Sequence, residues 1–452
     1  MGNLLNTLAT VAGSMGVMQR AIAVTSNNVT NAKSPGYVKQ RLQLTGKPLE
    51  LDLGLVGGLG DQGLVSARQG YLERGVQSQA QLVGRYSQQT ASLEEVETVF
   101  DVEGGTGLAR SLDGLFGTFS QLSVNPNAAS GRENVIRAAG ELARDFRNVS
   151  ESLHGTRRNT AAEVGTVVDA INKIAESVRG FNIEVRKDSR RQQDPGLDAN
   201  LHARLEELSD LVDFSVLRGE DGSVNVYLGG QSPLTIGDHH YPVSADTVTG
   251  NVVVHDALGA DITARIQGGR LRALVDVHNT ALPSITSQLD TLAGGVVDRI
   301  NSALAAGIDS SGQPGAALFQ YNASLGAASS VRVTAITTGQ IAAASPGAPG
   351  GNGNALAVAD LATSQEISGL TFSQYYGKIA AGVGHSVSSS REDERSSSLG
   401  LAQAKALREE LSTVSLDEEA ASLIEFQRAY QASAELVRIL NGLTETTLGI
   451  LR

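Results

Sequence analysis

Cysteine and tryptophan are absent from this 452-residue chain, aromatic residues make up only 4% of it, and there are 10 prolines and 3 methionines. Without cysteine there are no disulfides, no thiol catalysis and no Cys-ligated zinc or iron-sulfur sites, and the redox compartment is left open. With so few rings, burial must come from Leu, Val, Ile and Ala, which favours packed helices and thin sheets over a large aromatic-lined pocket. Nor is there a basic run: 36 Lys+Arg against 48 Asp+Glu give a formal charge of -12. No nucleic-acid partner is expected, because phosphate binding needs a positive surface. No window approaches the roughly 18 apolar residues of a membrane span, so no membrane insertion is expected. The start MGNLLNTLATVAGSMGVMQR lacks a charged segment followed by a continuous apolar core, so no cleaved secretory signal is expected either.

What is present is heptad spacing. Leu4, Leu8, Val11, Met15, Met18, Ile22, Thr25 and Val29 follow one another at alternating steps of four and three, which reads as a coiled-coil seam. The outer face is Asn, Thr, Ser, Gln and Gly rather than Glu and Lys, so this helix needs a partner. Similar spacing recurs at Leu82, Tyr86, Leu93, Val96 and Phe100, at Leu108 to Leu122, and in one continuous register from Val135 to Val185. That last pattern predicts one long helix, which Gly155, Gly165 and Gly180 could bend. The period changes at Phe214, and residues 211–269 read as a small antiparallel β domain inserted between helices. Helical spacing returns at Val275, with a kink or break expected at Pro283. Residues 308–354, rich in Gly, Ala, Ser and Pro, read as loop-rich connection with little core potential. The end is helical again, with Leu416, Ala420, Leu423, Phe426, Tyr430, Val437 and Leu440 in one stripe. Each terminal helix is the natural partner of the other, or of copies in neighbouring molecules.

Candidate chemistry is sparse. Gly58 to Gly63 matches GxGxxG, but Gly70 and Gly75 stand where the fingerprint's helix should form, so a flexible or hairpin loop is the simpler reading. His239 and His240, near Asp238, could suggest a metal centre. Adjacent strand residues point to opposite faces, however, and a turn with solvated histidines explains them. Glu94, Glu95, Glu97, Glu206 and Glu207 read as solvated helix faces, and Asp417, Glu418 and Glu419 as the dipole-favoured start of a helix capped by Ser415. No Ser-His-Asp order, HExxH or phosphate loop is present. No catalytic residue, metal site or cofactor is expected.

Behind the first seam stands Ser26-Asn27-Asn28-Val29-Thr30-Asn31-Ala32-Lys33-Ser34-Pro35-Gly36-Tyr37-Val38-Lys39-Gln40-Arg41. Pro35 and Gly36 suit a turn, with Gly supplying positive φ. The stretch from Asn28 to Tyr37 resembles the N-x-x-N-x-x-[ST]-P-G-Y start shared by bacterial flagellar axial proteins, and Gln427-Arg428-Ala429-Tyr430-Gln431-Ala432-Ser433 resembles their matching end. Internal stretches, LEELSDLVDFSVLRGEDGSVNVYLGGQSPL, GGRLRALVDV and SLDEEAASLIEFQRAYQAS, are similar to the hook-associated members of that family. Val38-Lys39 stands where the family more usually has Ser-Arg.

The resemblance implies a structural adaptor at the hook-filament junction rather than an enzyme. It implies export without signal cleavage from the cytoplasm to the extracellular flagellum, assistance from a dedicated export chaperone near the C-terminus, and assembly as a ring of its own copies between hook protein and a second hook-filament junction protein. The expected fold is multidomain α+β. It comprises a terminal coiled-coil domain (1–45 plus 412–452), a long-helix rod domain with discontinuous chain (46–210, 270–307 and 355–411), an outer β domain (211–269) and the 308–354 connection. The expected assembly interface is Leu4, Leu8, Val11, Met15, Met18, Ile22, Asn28, Asn31, Pro35, Gly36, Tyr37, Leu423, Phe426, Tyr430, Val437 and Leu440, with the asparagines as polar contacts at the rim of the coiled-coil layer. On that reading Asn28→Ala or Asn31→Ala weakens assembly more than folding, and the termini are mobile in the monomer. The alternatives are a flagellar hook or distal-rod protein, a secreted metal-dependent hydrolase with flagellar-type termini using His239 and His240, and a secreted adhesin.

Overall fold

The structure, a computed structural model, describes residues 2–34, 36–48, 57–100, 107–248 and 250–450. Pro35 of the expected turn, residues 49–56 of the strand and glycine segment, and Thr249 of a hairpin turn lie outside the described residues. The chain order is α1 (Gly2–Asn31), β1 (Gln40–Gly46), β2 (Leu59–Ser66), α2 (Gly70–Glu97), α3 (Leu108–Val124), α4 (Ala129–Lys187), α5 (Pro195–Leu211), β3 (Phe214–Arg218), β4 (Val224–Leu228), β5 (Ser232–Ile236), β6 (His239–His240), β7 (Ser244–Asp246) and β8 (Val253–His255). There follow α6 (Gly269–Asp276), α7 (Leu282–Ala306), β9 (Phe319–Gln320), α8 (Ala327–Ser330), β10 (Arg332–Val333), α9 (Gly353–Asp360), α10 (Phe372–Ser412) and α11 (Leu416–Ile450). The fold is α+β, as expected, and the chain divides into two compact units.

The first unit comprises residues 1–83, 170–243 and 397–452. Its hairpin β1-β2 pairs Gln40 with Ser66 and Gly46 with Leu59, with an irregularity between Leu42 and Leu44. The GxGxxG stretch therefore lies largely in a strand, and not in the loop expected of it. Gly63 adopts φ +105° where the register shifts, a bulge conformation that glycine takes up with little strain. The helix that Gly70 and Gly75 were expected to prevent does form, because α2 buries Leu72, Val76 and Ala80, and packing overrides propensity. The sheet β3-β4-β5-β6 is antiparallel throughout. It is tied to α4 by Asn182, fully buried, whose amide donates to Val224 O and Gly237 O and accepts from Val224 N at 2.8, 2.6 and 2.7 Å.

The second unit comprises residues 84–169 and 244–396. Its core draws on α3 (Leu112, Leu115, Phe119), α4 (Val135, Leu142, Phe146), α7 (Leu289, Leu292, Val296) and α10 (Phe372, Tyr376, Val383). Phe116 stacks on Phe372 with centroids 6.0 Å apart. The heptad pattern of α4 is fulfilled: Val135, Leu142, Phe146, Val149 and Leu153 are buried on one stripe, and no glycine interrupts the helix. The strands expected between 211 and 269 fall into two separate sheets, one in each unit, since β7-β8 belongs here.

The apolar residues of 308–354 are mostly alanine, yet Leu318, Phe319, Val331, Ile341, Ala342 and Ala343 all enter the core. Isolated large residues between small ones leave no periodicity to read, so burial here escaped the sequence pattern. Nor does Pro283 break its helix. A π turn at Val277–Ala281 precedes it, with Leu282 N bonded to Val277 O, and the wider turn spares the helix the amide that proline lacks. Asn279 in that turn clamps Val252 through both its amide N and O.

Asn182→Ala should strand the buried amide and carbonyl of Val224 and cost about 2–4 kcal/mol. Hydrogen exchange should locate the loss in residues 214–236. Unchanged protection there would mean that the sheet is held by its apolar face alone.

Candidate assembly site at the paired chain ends

The last four turns of α1 bury Val17, Ala21, Thr25 and Asn28; Thr25 belongs to the expected seam, and the other three each stand one residue before a seam position. By Val29 the seam has turned outward: that residue is 43% exposed, while Asn28 beside it is 1% exposed. The earlier seam residues Leu4, Leu8, Val11, Met15, Met18 and Ile22 are each half-buried, as are Leu423, Phe426, Tyr430, Val437 and Leu440 of α11.

The two helices are antiparallel neighbours. Gln19 Nε2 donates to Tyr430 Oη at 3.2 Å, and Ser433 Oγ lies 3.8 Å from Met18 Sδ. Arg20 pairs with Asp61 on β2, and Ser14 Oγ accepts from Leu59 N at 3.0 Å.

Asn28 is the centre of the site. Its Nδ2 donates to Gln40 O at 2.8 Å and to Glu419 Oε2 at 2.9 Å, and its Oδ1 accepts from Tyr37 Oη at 2.9 Å and Gln40 N at 3.0 Å. Both donors and both lone-pair directions of one amide are thereby used. Glu419, 3% exposed, also pairs with Lys39 Nζ at 2.9 Å, and Glu418 pairs with the same ammonium at 2.8 Å. Burial works to lower the Lys39 pKa, but the two carboxylates outweigh it and hold the ammonium above its ordinary value. Burial, helped by the Glu419 charge, pushes the Tyr37 phenol up to about 12, so it stays a donor to Asn28. Lys39, which departs from the family's more usual residue, is 9% exposed and satisfied from across the chain.

The asparagines thus separate. Asn28 is interior and not at a rim. Asn31 bonds locally: its Nδ2 donates to Asn27 O at 3.0 Å, and its Oδ1 accepts from Ser34 Oγ at 3.3 Å. Such bonds close a helix end.

The turn that follows is fastened from the other side. Gly36 has φ +73°, and a Cβ there would stand 2.5 Å from Ala199 O, so only glycine fits against α5. Its carbonyl accepts from Arg68 NH2 at 2.6 Å, and the same guanidinium pairs with Glu73 at 2.5 Å and Asp198 at 2.8 Å. Glu73 and Glu206 then share Arg408, and Glu206 also takes Lys405 at 2.6 Å. Glu206 is therefore not the solvated residue expected from its helix face. A cavity of about 690 Å³ beside this network is lined by Tyr37, His202, Glu206, Arg408 and Ser412 among others.

No signal in a single sequence marks Glu419, Arg68 or Arg408 for this role, because their partners are hundreds of residues away or on other elements. The histidines expected as a rival metal centre do not converge. His239 pairs with Asp238 at 3.0 Å and His240 faces Glu176 at 3.8 Å, and among the described residues no three His, Asp or Glu side chains come together as a metal site.

The sequence profile described as "Flagellar hook-associated protein FlgK helical domain" matches residues 93–319, just over half of the chain. The chain belongs to this family. A second profile, "Flagellar basal body rod FlgEFG protein C-terminal", matches residues 405–450, which include α11. Flagellar hook-associated protein 1 of Bacillus subtilis is 26% identical, with 98% of this chain and 97% of that protein covered. The protein of the same name from Salmonella typhimurium is 24% identical over 67% of this chain and 57% of its own length. In fold, the chain is similar to the flagellar hook junction protein FlgK from Burkholderia pseudomallei, with TM-score 0.68 and 13% identity, covering 75% of this chain and all of that one. The helical-domain match sets the FlgK family apart from the hook and distal-rod alternative, with which it shares the chain ends.

Two outcomes follow from the geometry. Asn28→Ala strands Gln40, Tyr37 and Glu419 and should destabilise the terminal pairing by about 3 kcal/mol, whereas Asn31→Ala should change it by less than about 0.5 kcal/mol. Urea unfolding of the purified variants measures both, and equal effects would remove the distinction drawn here.

The second concerns His202, which burial, then the Arg68 charge, push down to about 4. Arg218 lies 3.2 Å from its Nε2 and can only donate, so the neutral ring carries its proton on Nδ1. Between pH 6.5 and about 4 the unfolded chain binds a proton that the folded ring refuses. Stability therefore falls with falling pH across that window, by at most about 3 kcal/mol, and levels off below it. His202→Gln should flatten this acid limb in thermal unfolding, and an unaltered limb would assign it to other groups.

Proposed function

We propose that this hook-filament junction protein acts as a non-catalytic structural adaptor, assembled through its paired chain ends into a ring of its own copies between hook protein and a second hook-filament junction protein. Export to the extracellular flagellum with help from a chaperone on the C-terminal segment belongs to the same reading. The observation that carries it is the surface of the α1-α11 pair. In the 30 residues of α1 the only charged side chain is Arg20, an unusual composition for a helix meant to face water. Leu5 is 54% exposed, and Leu436, Ile439 and Leu443 of α11 are each about half exposed. The pairing of Asn28 with Glu419 and Gln19 with Tyr430 puts Leu5 at about the level of Leu443. Val29, Leu416 and Ile424 are open at the Asn28 end as well, so apolar surface is offered along the whole helix pair, where neighbouring molecules of the same or related chains could cover it.

A strain lacking the gene should build hooks without filaments, and the wild-type gene should restore them. A triple change of Leu436, Ile439 and Leu443 to Ser should yield folded, exported protein that fails to restore filaments. Absent hooks in the deletion strain would point to the hook or rod alternative. Stoichiometric zinc in tag-free protein would favour the hydrolase.

A further inference from the structure

The sheet β3-β4-β5-β6 has two edges, and they are finished differently. β6 is two residues long, too short to template another strand. β3 has five residues, Phe214–Arg218, contains no proline, and pairs only with β4. Gly229 N donates to Asp213 O, and Gly219 N donates to Ser223 O. Bonded residues alternate along an antiparallel ladder, so Ser215 and Leu217 also face β4. Phe214, Val216 and Arg218 therefore turn their N–H and C=O groups outward, and these have no hydrogen-bond partner among the described residues.

That edge borders a groove of about 510 Å³ walled by α2 and α5. Leu201, Leu205 and Val224 are buried under it, with Phe214 and Val216 half-buried at its side. From α2 the groove takes Gln77 and Gln81, one helical turn apart, and neither amide has a hydrogen bond among the described residues. A glutamine carries the same donor and acceptor pair with which Asn182 holds the backbone of Val224. A strand laid along β3 would thus meet a free backbone edge on one side and free amides on the other.

The charge of the groove has one sign. Of its described lining residues only Glu73 is acidic, and Arg68 and Arg408 take that carboxylate at 2.5 and 3.3 Å. Arg74 has no ion pair among the described residues, and Arg218, half-exposed, reaches Asp198 only at 3.5 Å. Gly70 and Arg218 also share the adjoining cavity, which brings the start of α2, and Arg74 with it, to the Arg218 end of β3. Two poorly neutralised guanidiniums in a chain of formal charge -12 select for a carboxylate.

We propose that the β3 edge receives an extended segment of a partner protein, apolar at alternate positions and acidic at the end beside Arg218, which joins the sheet as an added strand. Its main chain bonds Phe214 and Val216 and is held from the far side by Gln77 and Gln81. Its apolar side chains cover Leu201 and Leu205, and its carboxylate pairs with Arg74 and Arg218. Main-chain pairing supplies the affinity in such additions, and alternate side chains supply the selection. The groove takes no residue from α1, β1, β2 or α11, so failure of this proposal would leave the junction reading standing.

A fluorescent pentapeptide of alternating valine and glutamate, titrated into the full-length chain and followed by anisotropy, tests it. Saturable binding is expected, with hydrogen exchange slowed at Phe214 and Val216. Val216→Pro removes one outward N–H and no bond to β4, while Arg74→Glu reverses an exposed charge and keeps the test available if the proline disturbs the strand. Each should weaken binding by about tenfold or more. Absence of binding, equal binding of a valine and lysine peptide, or binding that neither variant weakens would overturn the proposal. Self-association of the chain that Val216→Pro abolishes, without peptide binding, would overturn it in favour of a second copy at this edge.

Discussion

Much of this molecule depends on one interaction, a helix asparagine whose side-chain amide pairs with the backbone of a strand or loop as a second strand would. Asn28 grips Gln40, Asn172 grips Val243, Asn182 grips Val224, Asn279 grips Val252 and Asn301 grips Leu318 and Phe319, in each case donating from Nδ2 and accepting at Oδ1. The constraint behind it is composition. A chain with long helices, short strands and few aromatic rings has irregular segments that cannot be fastened by bulk burial alone. Their backbone groups still need partners once they lie against a helix. An amide is the side chain that offers a donor and an acceptor at the spacing of a peptide group, and it does so without charge.

Charge is used differently, at the chain ends. A heptad seam of Leu, Val, Met and Ile tolerates sliding by whole heptads, since apolar contacts are interchangeable. The pairing of Asn28, Lys39 and Glu419 is not. Shifting α11 by one heptad would bury an unpaired carboxylate and an unpaired ammonium, a cost of several kcal/mol that the seam could not recover. Buried ion pairs are weak evidence for stability in themselves. Their effect here is selection of one register, and Arg68, which reaches Gly36, Glu73 and Asp198 together, extends that selection to α2 and α5.

How far the sequence could be read follows from the same distinction. Repeating apolar spacing is local, so the 59 residues of α4 and the change to antiparallel strands at Phe214 were legible. The flagellar motifs at both ends led to the family. What escaped was non-periodic or distant. The core residues Leu318, Phe319 and Ile341 recur at no regular spacing in a stretch of small residues, and the π turn before Pro283 has no sequence signature. Asn28 and Asn31 look alike in the sequence because a motif records spacing but not which side of the helix each residue reaches. At the candidate site the residue types of the seam were visible, whereas Glu419 was read only as a dipole-favoured acid and Lys39 only as a departure from the motif, since neither partner is near the other in sequence.

One pair of helices can serve two needs. Near Asn28 the contact between α1 and α11 is made by polar groups, Asn28 on Glu419. At the opposite end the heptad residues Leu4 and Leu8 are half-buried, and Leu5 and Leu443 lie open. Specificity is therefore concentrated where the chain closes on itself. On the proposed assembly, the open leucines of the other end would be left for contacts whose geometry is set by other molecules. Reversing the arrangement would place a buried ionic lock at a surface that must be formed and reformed between subunits, where any mismatch leaves a desolvated charge, and would leave the intramolecular register to leucines that cannot count heptads.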